Sequence, residues 1–312
     1  MRSITLFFVA AAMVFSSCGS AKIIRAMGNE TVSTTTFKVE IPFVHPKNDR
    51  LFIPVFFDKE NVQRTLLFDS HASTCINSSI IKNNQAFAKI GKFILPKPTP
   101  DGKTIPNIVY KTDGIRLGNV QFNRVVINEI TAKTDTVSYK YDGIFGTNLM
   151  VKGIWKIDFE RNILTMNSSI DSIDGVKDAQ KLPVIFSGTS KIKMEVAFKN
   201  NVRSTLDLDL GYGGSVIIKK KTFDKIDLDH QAKVKEGTII SAAGVQKTLK
   251  YSLDNEQVKV GDKDFTTYIR TNDVINMNLL GIGFFDQFKF VIFDYVNKAI
   301  YVSNEKMPKK EN

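Results

Sequence analysis

The stretch that decides the fold is LLFDSHASTCIN (66–77), together with a second stretch that echoes it, LDLDLGYGGS (206–215). Each is a strand-like run ending in Asp; in the first, small residues follow at once, which is how a carboxylate is delivered from a strand end into a cleft, and in the second Gly211 follows at the second position. The echo does not stand alone. DGIRLGNVQF (113–122) matches EQVKVGDKDF (256–265), GIFG (143–146) matches LLGIG (279–283), and GIWKIDFERNILTM (153–166) matches FKFVIFDYVNKAIYV (288–302). The four pairs run in the same order. Their offsets are 140 for Asp69 and Asp209, 143 for Gly118 and Gly261, 135 for Gly146 and Gly281, and 136 for Asp158 and Asp294. Four matches in register identify a duplicated unit.

Strand signals dominate past residue 36. The runs 37–44, 51–57, 64–69, 113–118, 122–130 and 153–159 are short, β-branched or aromatic, and bounded by Gly, Pro, Asn and Asp. The best helix signal is KKKTFDKIDLD (219–229). IISAAGVQKTLKY (239–251) has small residues and Gly244 between strand-like arms and reads as a hairpin. Its counterpart KPTPDGKTIPN (97–107) is richer in Pro and reads as less hairpin-like. Trp155 reads as core on its strand.

The repeated unit resembles the retropepsin/pepsin superfamily of aspartic peptidases over most of residues 37–303. In that family each lobe contributes an Asp-Thr/Ser-Gly loop, and an apolar-apolar-Gly segment threads beneath it. Ile144-Phe145-Gly146 and Leu279-Leu280-Gly281 occupy those segments here, and DSHASTCINSSI (69–80) is similar to the bacterial form of the motif. The resemblance implies an all-β, two-lobed pepsin-like fold, with an N-terminal lobe over 37–166, a linker over 167–182 and a C-terminal lobe over 183–303. It also implies a catalytic pair, Asp69 and Asp209, hydrolysing a peptide or protein substrate with an activated water. No cofactor or metal is needed. Such a pair requires two carboxylates about 3 Å apart sharing one proton. Asp207 competes with Asp209, since residues two apart on a strand share a face. Only Asp209 has Gly at its second following position, so Asp207 reads as a solvated strand residue.

Two supporting positions depart from the family pattern. Ser70 keeps the hydroxyl that in the family bonds across to the opposite loop, but Leu210 replaces its partner. Gly211 keeps the family glycine, but His71 replaces the other. Each copy has therefore lost a different element. His71 either points to solvent or pairs with Asp69. Three functions remain open: an aspartic endopeptidase, an inactive pepsin-fold protein that binds peptides, and a structural envelope lipoprotein. Two crowded carboxylates are costly to keep without use, which favours the enzyme.

The rest of the chain bounds these readings. Residues 1–17 have one positive charge, Arg2, then an apolar run too short to span a bilayer, and read as an export signal. The end Phe15-Ser16-Ser17-Cys18 resembles a bacterial lipobox. That implies a lipidated Cys18, a membrane tether over 18–36 and a bacterial envelope location at the outer membrane. Only Cys75 would then remain, so no intrachain disulfide forms. His45, His71 and His230 are scattered and build no metal site. Net charge is +11 over 312 residues, with a basic tail at 304–312. With export, that charge points to an anionic lipid surface and away from nucleic acid. Both lobes lie in one chain, so a monomer is expected.

Overall fold

The computed structural model describes residues 23–307, apart from 24, 47–48, 58–59, 99–103, 132–139 and 242–243. Cys18, the export signal and residues 308–312 lie outside the described residues. Among the described residues the strands form three sheets. One is built by the first copy and contains Phe52–Phe57, Glu60–Phe68, Gly143–Phe145 and Cys75–Asn77 as neighbours. One is built by the second copy and contains Lys191–Ala197, Arg203–Asp209, Leu279–Gly281 and Val216–Ile217 as neighbours. The third is shared. Its order is Gln180–Leu182, Ala299–Val302, Phe290–Asp294, Ile154–Asp158, Ile163–Asn167 and Lys38–Pro42: three strands of the first copy, two of the second and one from the expected linker.

The centre of the shared sheet carries the pseudo-twofold axis. Ile154–Asp158 runs antiparallel to Phe290–Asp294, with Lys156 opposite Ile292. Those two residues are 136 apart, the offset of the repeat itself, so the pairing maps onto itself when the copies exchange. Asp158 and Asp294, the repeated aspartates at the strand ends, form turns. Asp158 Oδ1 accepts from Arg161 N–H at 3.0 Å, and Asp294 Oδ1 from Asn297 N–H at 2.8 Å. The repeated glycines Gly118 and Gly261 also have a local cause. Each opens a two-residue hairpin loop at positive φ, 56° and 61°, where only Gly is unstrained.

Four sequence expectations change. The described residues on either side of 99–103 in the Pro-rich stretch belong to a hairpin: Ala88–Pro98 pairs with Thr104–Thr112, Pro98 opposite Thr104. Proline is tolerated because Ala88–Pro98 is the edge strand. The run 122–130 is two strands, broken at Arg124 with φ 56°. The expected tether is packed from residue 23 onward. Ile23 is buried against Val109 and Val126, and Thr31–Val32 adds a strand beside Val120–Asn123, because apolar surface there is better covered than left in water. The expected basic tail is pinned as far as Met307, whose N–H donates to Gln287 C=O at 2.8 Å while its side chain packs on the core. The stretch 167–182 runs as two 3₁₀ turns, Ile170–Ser172 and Val176–Asp178, and ends in the Gln180–Leu182 strand. The helix signal at 219–229 forms Lys220–Ile226, burying Phe223 and Ile226.

One buried apolar cluster runs through both copies, from Val39 to Val302. Trp155 is fully buried in it, edge-on to Phe68 at 5.2 Å and Phe145 at 5.6 Å, with Nε1 donating to Met150 C=O at 2.6 Å. Phe68 precedes Asp69, so this packing sets the height of the Asp69 loop above the core. Trp155→Ala is expected to cost about 3–5 kcal/mol. Urea titration measures it as a lower midpoint with an unchanged slope.

Candidate active site

Each Asp-bearing loop is held by an apolar-apolar-Gly segment. Gly143–Phe145 runs parallel to Glu60–Phe68, with Phe145 opposite Phe68, and Phe145 C=O accepts from Asp69 N–H at 3.1 Å. Leu279–Gly281 runs parallel to Arg203–Asp209, with Gly281 opposite Asp209. A four-residue helix follows each glycine, Thr147–Met150 and Ile282–Phe285. The second loop is longer. Cys75 faces Ile144 and Ile217 faces the equivalent Leu279, so two more residues separate Asp209 from its return strand.

The loops meet. Ser70 Oγ, buried, accepts from Leu210 N–H at 3.0 Å and donates to Leu208 C=O at 3.3 Å. Leu210 offers no hydroxyl in return, and its side chain is fully buried in the core. The cross-brace is therefore one-sided: it serves the Leu210 N–H and the Leu208 C=O of the second loop. The Asp69 carboxylate lies against the Cα of Gly211, so closely that a Cβ there would overlap it. Asp69 Oδ1 also accepts from His71 N–H at 2.7 Å and Ala72 N–H at 3.1 Å. His71 makes this bond at negative φ, and the residue is exposed. A side chain is thus accommodated at 71 but not at 211. Asp207 stands apart, half-buried and 3.5 Å from Lys193 Nζ.

The electrostatics separate the two carboxyls. Burial raises Asp69 above its ordinary value of 3.8, opposed by the His71 and Ala72 N–H groups and by the His71 and Arg50 charges. Burial, then the negative charge of Asp69, push Asp209 up to about 7, opposed by the Gly211 and Tyr212 N–H groups and the Arg50 charge. Asp209 Oδ1 is buried with no hydrogen-bond partner among the described residues. Two like charges this close cannot both form cheaply, so the pair retains one proton into the neutral range.

Sequence reasoning missed several supporting residues. Arg50 lies just before the Phe52–Phe57 strand, its guanidinium 5.6 Å from the Tyr141 ring centroid, and its charge reaches both aspartates. Its signal was a charged residue heading an apolar run. Asn148 Oδ1 accepts from Thr74 N–H at 2.8 Å and Thr74 Oγ1–H at 2.7 Å, bracing the first loop. Tyr212, bonded to Arg270, braces the second. An aromatic between glycines in GYGG was its only signal. Among the described residues no His/Cys/Asp/Glu group has the arrangement to hold a metal ion.

The crystal structure of an aspartic proteinase from Irpex lacteus superposes on this chain with a TM-score of 0.57, at 12% identity, covering 86% of this chain and 97% of that one. The fold is that of a pepsin-like aspartic proteinase. No family model and no curated protein matches the chain.

In this pepsin-like fold the Asp209 carboxyl also contributes to stability. A carboxyl raised to about 7 is stabilising in its neutral form: that contribution is complete below 3.8 and is lost as pH rises through about 7. Asp209→Asn removes the loss. The variant is expected to melt with wild type at pH 3.5 and above it at pH 8, as measured by thermal unfolding at both values.

Proposed function

We propose that the chain is an aspartic endopeptidase in which Asp69 and Asp209 share one proton and activate a water against a peptide bond. The observation that carries this reading is the approach of Asp69 to Gly211, coupled to the raised Asp209 carboxyl. Asp69, with two N–H donors on Oδ1, is the ionised member and takes a proton from the water. Asp209 holds the shared proton and donates a hydrogen bond to the scissile carbonyl oxygen. Water oxygen adds to the carbonyl carbon, a proton passes to the amide nitrogen, and the C–N bond breaks. Activity requires a single proton on the pair. It is therefore expected in weak acid, falling above about pH 7 as Asp209 ionises and falling again where Asp69 is protonated. Cleavage of a mixed peptide library across pH 3–8 tests this. Asp209→Asn should lower the rate by about 10²–10⁴-fold.

A peptide-binding protein without turnover is the second reading, favoured by Leu210, which leaves the loops braced from one side only. A misplacement near 1 Å can cost about a hundredfold in rate. His71→Gly with Leu210→Thr should then raise cleavage. Saturable peptide binding with no cleavage by wild type or by this double variant selects the second reading.

We further propose that the chain is carried on a bacterial envelope membrane by lipid on Cys18, supported by the Phe15-Ser16-Ser17-Cys18 sequence. Cys18→Ala should move the protein to the soluble fraction and change its gel mobility. Unchanged partitioning and mobility would count against the anchor.

A further inference from the structure

The two lobes treat one equivalent position in opposite ways. Asn128 pairs with Cys75, and Arg270 pairs with Ile217. Cys75 and Ile217 face Ile144 and Leu279, which are equivalent in the repeat. Asn128 and Arg270 are therefore counterparts, and so are Val126 and Tyr268. In the second lobe this region is filled. The Arg270 guanidinium stacks 4.7 Å from the Tyr268 ring centroid, and Tyr212 lies against Gly214 and Gly281. In the first lobe the smaller Val126 and Asn128 leave a cavity of ≈ 320 Å³. Ser73, on the loop that carries Asp69, forms part of its wall, and so does Ser190 of the second lobe.

The polar groups of this cavity are short of donors. Glu30 is 4% exposed. Its Oε1 accepts from Asn148 Nδ2 at 3.3 Å, but Oε2 has no hydrogen bond and lies 3.8 Å from Lys152 Nζ, at the limit of an ion pair. Asn128 Oδ1 is likewise buried without a donor. A buried acceptor left unmet costs about 1–3 kcal/mol. An anionic ligand would meet the Glu30 charge, and an apolar one would leave both acceptors unmet. A guanidinium or ammonium group supplies N–H donors and opposite charge, while Val126 and Val151 can cover its alkyl stem.

We propose that this cavity is a specificity pocket for a basic side chain of a peptide lying in the cleft. The peptide as ligand rests on the reading under Proposed function; the charge preference rests on the cavity alone. Arg270, at the counterpart position, repels the same group, so the cleft distinguishes the two directions of a peptide. Lys152 competes for Glu30 from within.

The test uses the full chain and labelled peptides in which one arginine, or its uncharged isostere citrulline, is walked through an otherwise fixed sequence. Fluorescence anisotropy gives Kd, and cleavage gives KM and kcat. At one position arginine should bind about tenfold more tightly than citrulline, the difference lying in KM. Glu30→Gln should abolish that ratio, whereas Lys152→Met should increase it. These opposite directions cannot both come from a damaged fold. Equal binding of the two peptides at every position, or a ratio unchanged in Glu30→Gln, overturns the pocket. Peptides bound with the expected ratio but never cut uphold the pocket and remove the peptidase reading. Peptides cut without any ratio do the reverse.

Discussion

The structure depends on one antiparallel pairing, Ile154–Asp158 with Phe290–Asp294. Without it each copy would present an open strand edge, Ile154–Asp158 or Phe290–Asp294, with unpaired ladder groups. Pairing the copies about Lys156 and Ile292 satisfies both edges together and fixes the pseudo-twofold axis. The remaining contacts between the lobes follow from it. Flanking this pair, Ile163–Asn167 joins Lys38–Pro42 on one side and Ala299–Val302 joins Gln180–Leu182 on the other. Trp155, within the central strand, then sets Phe68 and Phe145 and with them the loop that begins at Asp69.

Much of this was legible in the sequence because it is local. Alternating apolar residues, turn aspartates at 158 and 294, and the hairpin glycines at 118 and 261 are each dictated by their neighbours. The duplication showed because those local features recur in order. What escaped depends on partners distant in sequence. The Ala88–Pro98 strand reads as broken until its place at the sheet edge is known. Residues 23–32 read as a tether until Val109, Val126 and Phe122 are seen beneath them. The same holds for the site. Both aspartates and their altered neighbours were visible, whereas Arg50, Asn148 and Tyr212 act only through contacts that folding creates.

Joining two copies in one chain allows each loop to change separately, and the changes here are not equivalent. Replacing a hydroxyl by Leu210 leaves the second loop held, because Ser70 Oγ is both acceptor for Leu210 N–H and donor to Leu208 C=O. Replacing a glycine by His71 is tolerated because that residue keeps a negative φ and an exposed position. Gly211 has no such latitude, since the Asp69 carboxylate occupies the space a side chain would need.

These differences place the proton. Asp69 Oδ1 has two backbone N–H donors, which stabilise its anion. Asp209 has an Oδ1 with no donor among the described residues and faces the charge of Asp69, so its anion is the costlier of the two. Arg50 lowers both and therefore does not choose between them. The asymmetry arises instead from the Asp69 charge, which raises Asp209 further, and from Asp209 Oδ1, which has no donor among the described residues. A duplicated site whose halves began alike thus holds two carboxyls whose anions differ in cost.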